Sequence, residues 1–261
     1  MKKYFNLYKT VFKFAVIKNM AYPQDFLIWS VVDLLWSCIN LGFFKVLLLR
    51  IPSISGWTFE QLTIILGLVH ILSAFVWGVM YGNMKQLVND IHRGNLDLCL
   101  TKPANSQFLV STKEISFSLF PTFIIGAFLV TYGLLVNGKF TLPSTAVVLV
   151  SIASSIIISY SLWFVTVTGA MFFGRLANVV EIFPNALDIA RYPVSIFPPF
   201  IQFVYTFIIP FALMGFVPAN IILGKTNYLV LTLVPVSALI LLYISSRFWN
   251  FALRHYSSAS S

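Results

Sequence analysis

Charged residues are scarce in this chain. They make up 10% of the 261 residues, whereas soluble domains carry about 25%. A soluble fold of this length could not cover its surface with so few charges, which excludes an ordinary soluble enzyme. Because 59% of the residues are hydrophobic, the composition excludes intrinsic disorder as well. The remaining class is an integral membrane protein.

Reactive side chains are also few, with only two cysteines and three histidines. Cys38 lies in an apolar run and Cys99 in a polar segment, so we predict neither a disulfide nor a zinc site. Residues 133–139 and 219–226 resemble phosphate-binding loops, but no buried strand or soluble helix is predicted beside them. We therefore predict no catalytic residue, no metal, no cofactor and no ATP site, and hence a protein that is not itself an enzyme.

Six apolar runs are long enough to cross a membrane, which takes about 20 residues of helix. The runs are continuously apolar and do not alternate with polar residues, which favours helices over a β-barrel. We predict an all-α integral membrane protein with one transmembrane domain over residues 1–261. Its six spans are Phe26–Leu49, Phe59–Tyr81, Ile115–Val136, Ser144–Phe173, Ile196–Val217 and Tyr228–Phe248.

The basic residues are distributed unevenly between the two ends of these spans. One end has only Arg50, Lys139 and Lys225, with Lys45 inside the first span near it. The other end has thirteen, namely Lys2, Lys3, Lys9, Lys13, Lys18, Lys85, Arg93, Lys102, Lys113, Arg175, Arg191, Arg247 and Arg254. Basic residues collect on the cytoplasmic side of membrane proteins, so we predict that both termini are cytoplasmic.

Residues 1–22 precede the first predicted span and have the pattern of an amphipathic helix. Lys2, Asn6, Lys9 and Lys13 are spaced four, three and four residues apart and share one helical face, opposite several apolar side chains. A basic amphipathic helix next to a span typically lies in the membrane interface, so we expect membrane lipids as partners. A helix in the cytosol, packed on another protein, is the alternative.

The polar segment 82–114 follows the second predicted span. Residues 85–93 can form a short amphipathic helix that ends at Gly94, and Pro103 interrupts the chain further on. A short helix of mixed charge on the cytoplasmic face suits the docking of a soluble protein. The alternative is a solvated loop, and the pattern by itself does not decide between them.

Prolines mark the region around the fifth predicted span. We expect segment 174–195, with Pro184 in its middle, to form a kinked helix on the surface. Prolines inside a membrane helix require neighbours that satisfy the carbonyls they free. The fifth span should therefore be buried in protein or line a cavity as a broken helix or gate, and the prolines concerned are Pro198, Pro199, Pro210 and Pro218.

Two ionisable residues lie within predicted spans. An unpaired carboxylate near the middle of a bilayer costs about 2.5–3.5 kcal/mol on insertion scales, so Asp33 should face protein or water. His70 lies near the middle of the second span. Either residue would suit a proton pathway, and a proton-coupled secondary transporter is the alternative function. Because no ladder of ionisable residues is present, we favour hydrogen bonds between helices.

Three further stretches carry a family resemblance. They are Arg93-Gly94-x-Leu96-Asp97-x-x-Leu100-x-Lys102-Pro103; Tyr192-Pro193-x-x-Ile196-Phe197; and Ile209-Pro210-Phe211-Ala212, followed by Pro218-Ala219 and Leu223-Gly224. Together with the basic N-terminal helix and the six spans, they resemble permease subunits of ABC-2 type transporters, in the bacterial branch related to daunorubicin-type export permeases. The resemblance covers essentially the whole chain.

This resemblance implies a function and partners that the pattern alone did not supply. Such permeases sit in the bacterial cytoplasmic membrane, pair with a second copy or a paralogous permease, and are driven by separate ABC ATPase subunits that bind the ATP. The substrate would be amphipathic or hydrophobic, such as a drug, lipid or peptide, and no nucleic acid is implied. A coupling helix at about Met84–Pro103 would dock on the ATPase through Lys85, Asp90, Arg93, Gly94, Leu96, Asp97, Lys102 and Pro103.

Overall fold

A computed structural model describes residues 2–21, 23–117, 119–173 and 178–256. Helices account for most of these residues, and one isolated bridge joins Ile54 to Trp57. Arg175, which we counted with the cytoplasmic basic residues, lies outside the described ranges. The main helices are α1 Lys2–Ala21, α2 Pro23–Leu48, α3 Phe59–Arg93, α4 Ser106–Ser111, α5 Leu119–Val136, α6 Leu142–Thr168, α7 Val179–Leu187, α8 Pro199–Ile208, α9 Phe216–Ile222 and α10 Leu233–His255.

Within the described ranges, four helical stretches are long and apolar enough to cross a membrane, and they contain most of α2, α3, α6 and α10. The helices on either side of Pro210 would add a fifth if counted as one span. Helix α5 is apolar but has only 18 residues. The predicted class, an all-α membrane protein, is confirmed, whereas six spans remain a prediction.

Helices α3 and α5 pack backbone against backbone through glycines. A Cβ atom added at Gly67 would lie 2.6 Å from the Val130 nitrogen, and one added at Gly126 would lie 2.7 Å from the Ile71 nitrogen. Seven residues further along α5, a Cβ atom added at Gly133 would lie 2.6 Å from the Ile64 side chain of α3. Small residues allow close approach and therefore dispersion contacts, which drive association where lipid removes the hydrophobic effect.

Helix α6 forms the other side of the core. Trp163 and Phe164 are fully buried, and the Phe164 ring lies 5.1 Å from the Trp249 ring of α10. The serines of α6 pack inward, as small residues at a helix contact should, and Ser155 Oγ donates to the Met214 carbonyl at 3.3 Å.

The membrane-length helices differ in how much of their surface the chain itself covers. In α3, 83% of the most apolar window is buried, compared with 11% in α2 and 17% in α10. Helix α3 is therefore the central element of the molecule. Helices α2 and α10 lie at its periphery and leave long apolar faces uncovered by the described residues.

We expected segment 174–195 to form a kinked surface helix. Residues 174–177 lie outside the described residues, and the remainder contains helix α7, with Pro184 inside it. Helix α7 begins beside α6, where Trp163 Nε1 donates to the Val180 carbonyl at 3.1 Å, and its Phe183 and Leu187 side chains are buried. Further on, Arg191 Nη1 donates to Asn40 Oδ1 of α2 at 3.3 Å. The apolar residues of α7 recur at helical spacing, so one face of this helix packs on the bundle, while Ile182 on the other face is 57% exposed.

We assigned all four prolines around the fifth predicted span to a broken helix, but only one of them lies at a break between helices. Pro198 caps the N-terminus of α8 and Pro199 is its first residue, where a missing N–H costs nothing, so neither breaks a helix. Pro218 lies in the first turn of α9 for the same reason. Only Pro210 lies at a break, and the helices on its two sides, Pro199–Ile208 and Phe211–Ile222, are bent by 74°.

Candidate functional site

The candidate site lies at the end of the bundle where the tip of α3, segment 94–117 and α1 come together, which we call the basic end. Helix α3 continues as one helix, through a π-helical turn, to Arg93, and Gly94 ends it with a φ of 71°, the left-handed conformation that favours glycine. The second predicted span and the predicted helix 85–93 are thus parts of one continuous helix. A force applied at Arg93 would act directly on α3, the most buried of the four membrane-length helices.

A π-helical turn over Val76–Met80 interrupts the regular hydrogen bonding of α3. The Gly78 carbonyl accepts a hydrogen bond from the Ser116 N–H at 2.7 Å. Turns of this kind are frequent at functional sites because they free backbone groups for other partners. Here the π-helical turn binds Ser116, in the segment that leads back along α3 to the start of α5 at Leu119.

Asn83 fastens the same returning chain a turn further along α3. Its side chain is buried, and its Oδ1 accepts hydrogen bonds from the Lys113 N–H at 2.7 Å and the Glu114 N–H at 2.9 Å. Its Nδ2 donates to the Glu114 carbonyl at 2.8 Å. One amide therefore satisfies three backbone groups of the loop. Sequence reasoning missed this residue, since an isolated asparagine near a helix end has no distinctive spacing.

Asp90 forms an ion pair with Lys113, in which Nζ lies 2.5 Å from Oδ2. Burial lowers the pKa of Lys113, but the hydrogen bond and the charge of Asp90 outweigh this, so its pKa lies above the ordinary lysine value. We had predicted Asp90 on the coupling surface. It is buried instead, because the loop folds back over α3 and brings Lys113 to it.

The loop is also attached to two other long helices. Ser111 at the end of α4 shares a hydrogen bond with Tyr160 of α6, with 2.8 Å between the two oxygens. At the start of α4, Ser106 Oγ accepts from Trp249 Nε1 of α10 at 3.0 Å. Displacement of α4 would therefore be transmitted to α6 and α10 as well as to α3.

The remaining predicted coupling residues divide by exposure. Gly94 and Asp97 are half-buried, and Leu96 is fully buried beneath the one-turn helix Asp97–Leu100. Those that are exposed are Lys85, Arg93, Lys102 and Pro103.

The predicted set lacked Leu98, whose side chain is 68% exposed. Leu96 caps the one-turn helix, and Cys99 lies three residues further on within it. Both side chains are buried, so Leu98 between them points outward. We call the exposed residues Arg93, Leu98, Leu100, Lys102 and Pro103 the coupling surface, after the role that the resemblance implies for this loop. The three-residue spacing of Leu96 and Cys99 was the available signal for this orientation.

The two ionisable residues that we considered for a pathway both contact neighbouring helices. Asp33 Oδ2 accepts a hydrogen bond from Thr122 of α5 at 2.7 Å. His70 Nδ1 lies 2.8 Å from the Leu66 carbonyl, and its Nε2 lies 3.1 Å from Ser37 Oγ of α2. These contacts attach α2 to α3 and α5.

At the opposite end, Lys225 attaches the turn after α9 to the turn between α2 and α3. Its Nζ lies 4.0 Å from the centre of the Trp57 ring and donates to Gln61 Oε1 at 2.8 Å. Burial lowers the pKa of Lys225. Among the described residues, no group of three His, Cys, Asp or Glu side chains is arranged to hold a metal ion.

The fold and the site together define a class of protein. They describe a multi-pass, all-α membrane protein whose central helix carries an anchored polar loop at one end. Residues 34–260 match the family described as ABC-2 family transporter protein, and the chain belongs to that family. It is therefore a transmembrane component of an ABC-type exporter, and the ABC-2 resemblance is confirmed. No curated protein and no solved structure gave a significant match.

Proposed function

We propose that this chain is the permease subunit of an ATP-driven exporter in a bacterial cytoplasmic membrane. The family match over residues 34–260 carries the proposal, since proteins of this family are membrane components and not ATPases. In our account the membrane is crossed six times and the basic end faces the cytoplasm. The uneven distribution of Lys and Arg supports this orientation.

Energy would come from a separate ABC ATPase subunit that docks on the coupling surface. The most exposed apolar side chain of this surface is Leu98, at 68%, with Leu100 exposed to 37%, and the positive charges of Arg93 and Lys102 flank them in the sequence. An apolar anchor within a polar rim is the usual composition of a protein–protein contact. The ATP-bound and ATP-free forms of the ATPase would hold this surface in different positions.

Movement of the docked surface would reach the transmembrane helices through the attachments of the loop. Asn83 and Asp90 connect it to α3, Ser111 to α6 and Ser106 to α10. Because these bonds join a short loop to three long helices, the helices would move together. A second copy of this chain, or a paralogous permease, would cover an uncovered apolar face and complete the pathway.

The proposed cargo is an amphipathic or hydrophobic molecule taken from the cytoplasm or from the inner leaflet. The rival function is a proton-coupled secondary transporter that uses Asp33 and His70. The rival predicts that neutralising both residues abolishes transport, whereas loss of the ATPase has no effect. Our proposal predicts the reverse dependence.

Co-purification tests the proposal. The tagged full chain, extracted in mild detergent, should bring down an ABC ATPase at a fixed ratio to the permease. Leu98→Glu should reduce this recovery because it places a charge in the apolar centre of the contact. Leu142→Glu is the matched control, since Leu142 is 85% exposed at the opposite end. Equal loss with both variants, or recovery of no ATPase, would contradict the proposal.

A further inference from the structure

The N-terminal helix α1 is packed along the loop that carries the coupling surface. The Tyr4 ring lies 4.9 Å from the Phe108 ring, and Tyr4 Oη accepts a hydrogen bond from the Asn105 N–H at 3.3 Å. Further along α1, the Phe12 ring lies 5.8 Å from Phe117. Helix α1 thus lies alongside segment 105–117 over much of its length.

One side of α1 makes these contacts, and the other sides are uncovered by the described residues. Ala15 is buried, and Lys18 Nζ lies 3.7 Å from Glu114 on the loop side. The side chains facing elsewhere include Phe14, Ile17 and Met20, which are 66%, 54% and 75% exposed. An apolar stripe of this kind requires an apolar environment other than the loop.

The position of α1 in the chain identifies that environment. Only one residue separates the end of α1 at Ala21 from the start of α2 at Pro23, and α2 is of membrane length from Phe26. The second half of α1 therefore lies at the boundary of the bilayer, where Phe14 and Ile17 can enter the region between headgroups and acyl chains.

Two lysines supply the charge that such a surface recognises. Lys9, Lys13 and Ile17 follow one another at intervals of four residues, so the two lysines lie in line with the apolar stripe. Both lysines are exposed, and neither has a described ion-pair partner. A lysine near an anionic membrane surface favours the bound state by about fivefold, and two do so by about 25-fold.

We propose that α1 binds anionic phospholipid headgroups through Lys9 and Lys13 and thereby sets the position of segment 105–117. The lipid surface would be a regulator of the coupling loop, because the helix that contacts the lipid also contacts the loop at Tyr4, Phe12 and Lys18. The consequence for ATP-driven export rests on the proposed function. The binding of the headgroups does not.

Spin labels in the full chain test the lipid contact. In a Cys38→Ser, Cys99→Ala background, a label at Phe14→Cys is compared in nanodiscs of phosphatidylcholine and nanodiscs that also contain phosphatidylglycerol. We expect the label to be several-fold less accessible to a water-soluble relaxation agent when phosphatidylglycerol is present. The difference should shrink at high salt, because a Debye length of about 8 Å at physiological ionic strength becomes shorter.

Charge removal provides the matched comparison. Lys9→Gln with Lys13→Gln should abolish the effect of phosphatidylglycerol, whereas Lys139→Gln with Arg50→Gln, which removes the same charge at the opposite end, should leave it unchanged. Equal accessibility in both lipids for the unmodified lysines, or a lipid effect that survives the Lys9 and Lys13 changes, would overturn the proposal.

A distance measurement tests the link to the loop. Labels at Thr10→Cys and Thr101→Cys, two exposed positions on α1 and on the loop, should give a narrower distance distribution in phosphatidylglycerol nanodiscs. The same distribution in both lipids would contradict the link. Neither measurement uses an ATPase or a substrate, so failure of the proposed function would leave these results unchanged.

Discussion

Single polar residues fasten the coupling loop to the bundle. Asn83 satisfies backbone groups of a chain segment that would otherwise be left without partners near the bilayer, and Asp90 neutralises Lys113 where water is scarce. Both residues act inward and leave docking to the exposed Leu98. At this scale, burial separates the residues that hold the loop from those that offer a surface.

The Asp90–Lys113 pair should matter most when it is half removed. Lys113→Met leaves a buried carboxylate without its partner, and we expect a loss toward the lower end of about 3–5 kcal/mol because both side chains keep some exposure. Replacing both residues by leucine should restore most of the stability. Thermal unfolding in detergent measures both changes, and a double variant less stable than Lys113→Met would contradict the assignment.

The same pair has a defined pH dependence. The pKa of Lys113 is raised, so the stability it contributes is complete below the usual lysine range and is lost only as the pH rises through the raised value. Between about pH 6 and about pH 9 the Lys113→Met difference in unfolding temperature should therefore stay constant. A difference that disappears within that interval would show that another group titrates in the pair.

The close packing between α3 and α5 should make Gly126 intolerant of larger side chains. Gly126→Val would place side-chain atoms where the Ile71 backbone already lies, and overpacking of this kind costs about 1–3 kcal/mol or more. Gly42→Val is the control, because a Cβ at Gly42 meets nothing within 4 Å. Equal unfolding temperatures for the two variants would contradict the close packing.

At the scale of elements, the central feature is the continuity of α3 from Phe59 to Arg93. A flexible joint between the second span and the coupling loop would absorb movement, whereas an unbroken helix transmits it. Gly-Pro inserted after Lys85 should therefore preserve insertion and ATPase binding but reduce the ATPase response to transport substrate. Site-specific distance measurements across residue 85 would show whether the helix was in fact interrupted.

Sequence reasoning predicted the apolar helices and the end of α3 at Gly94, because composition and glycine position decide them locally. It extended the fifth span across Pro198 and Pro199, which instead cap and begin α8, because the apolar run continues through these prolines and does not mark where the helix starts. It also assigned Asp90 to docking, since nothing in the sequence shows that the loop folds back to bring Lys113 beside it. In the case of Asp90 the missing information was tertiary.

For the whole molecule, the orientation that we propose in the membrane rests on the distribution of charge. Reporter enzymes fused after residue 139 and after residue 256 should be active on opposite sides, with the first outside and the second inside the cytoplasm. The excess of Lys and Arg at the basic end gives the physical reason. Activity of both fusions on the same side would contradict both the orientation and the three spans predicted between the two fusion points.

A photo-cross-link from residue 98 would show whether the coupling surface docks on an ATPase. A photo-reactive amino acid replaces Leu98 in the full chain, the membranes are irradiated, and the attached protein is identified by mass spectrometry, with the same amino acid at Leu142 as control. We expect one dominant product from residue 98, a protein with the nucleotide-binding motifs of an ABC ATPase, and none of that product from residue 142. Lipid adducts alone at residue 98, or a partner without a nucleotide-binding domain, would contradict this expectation.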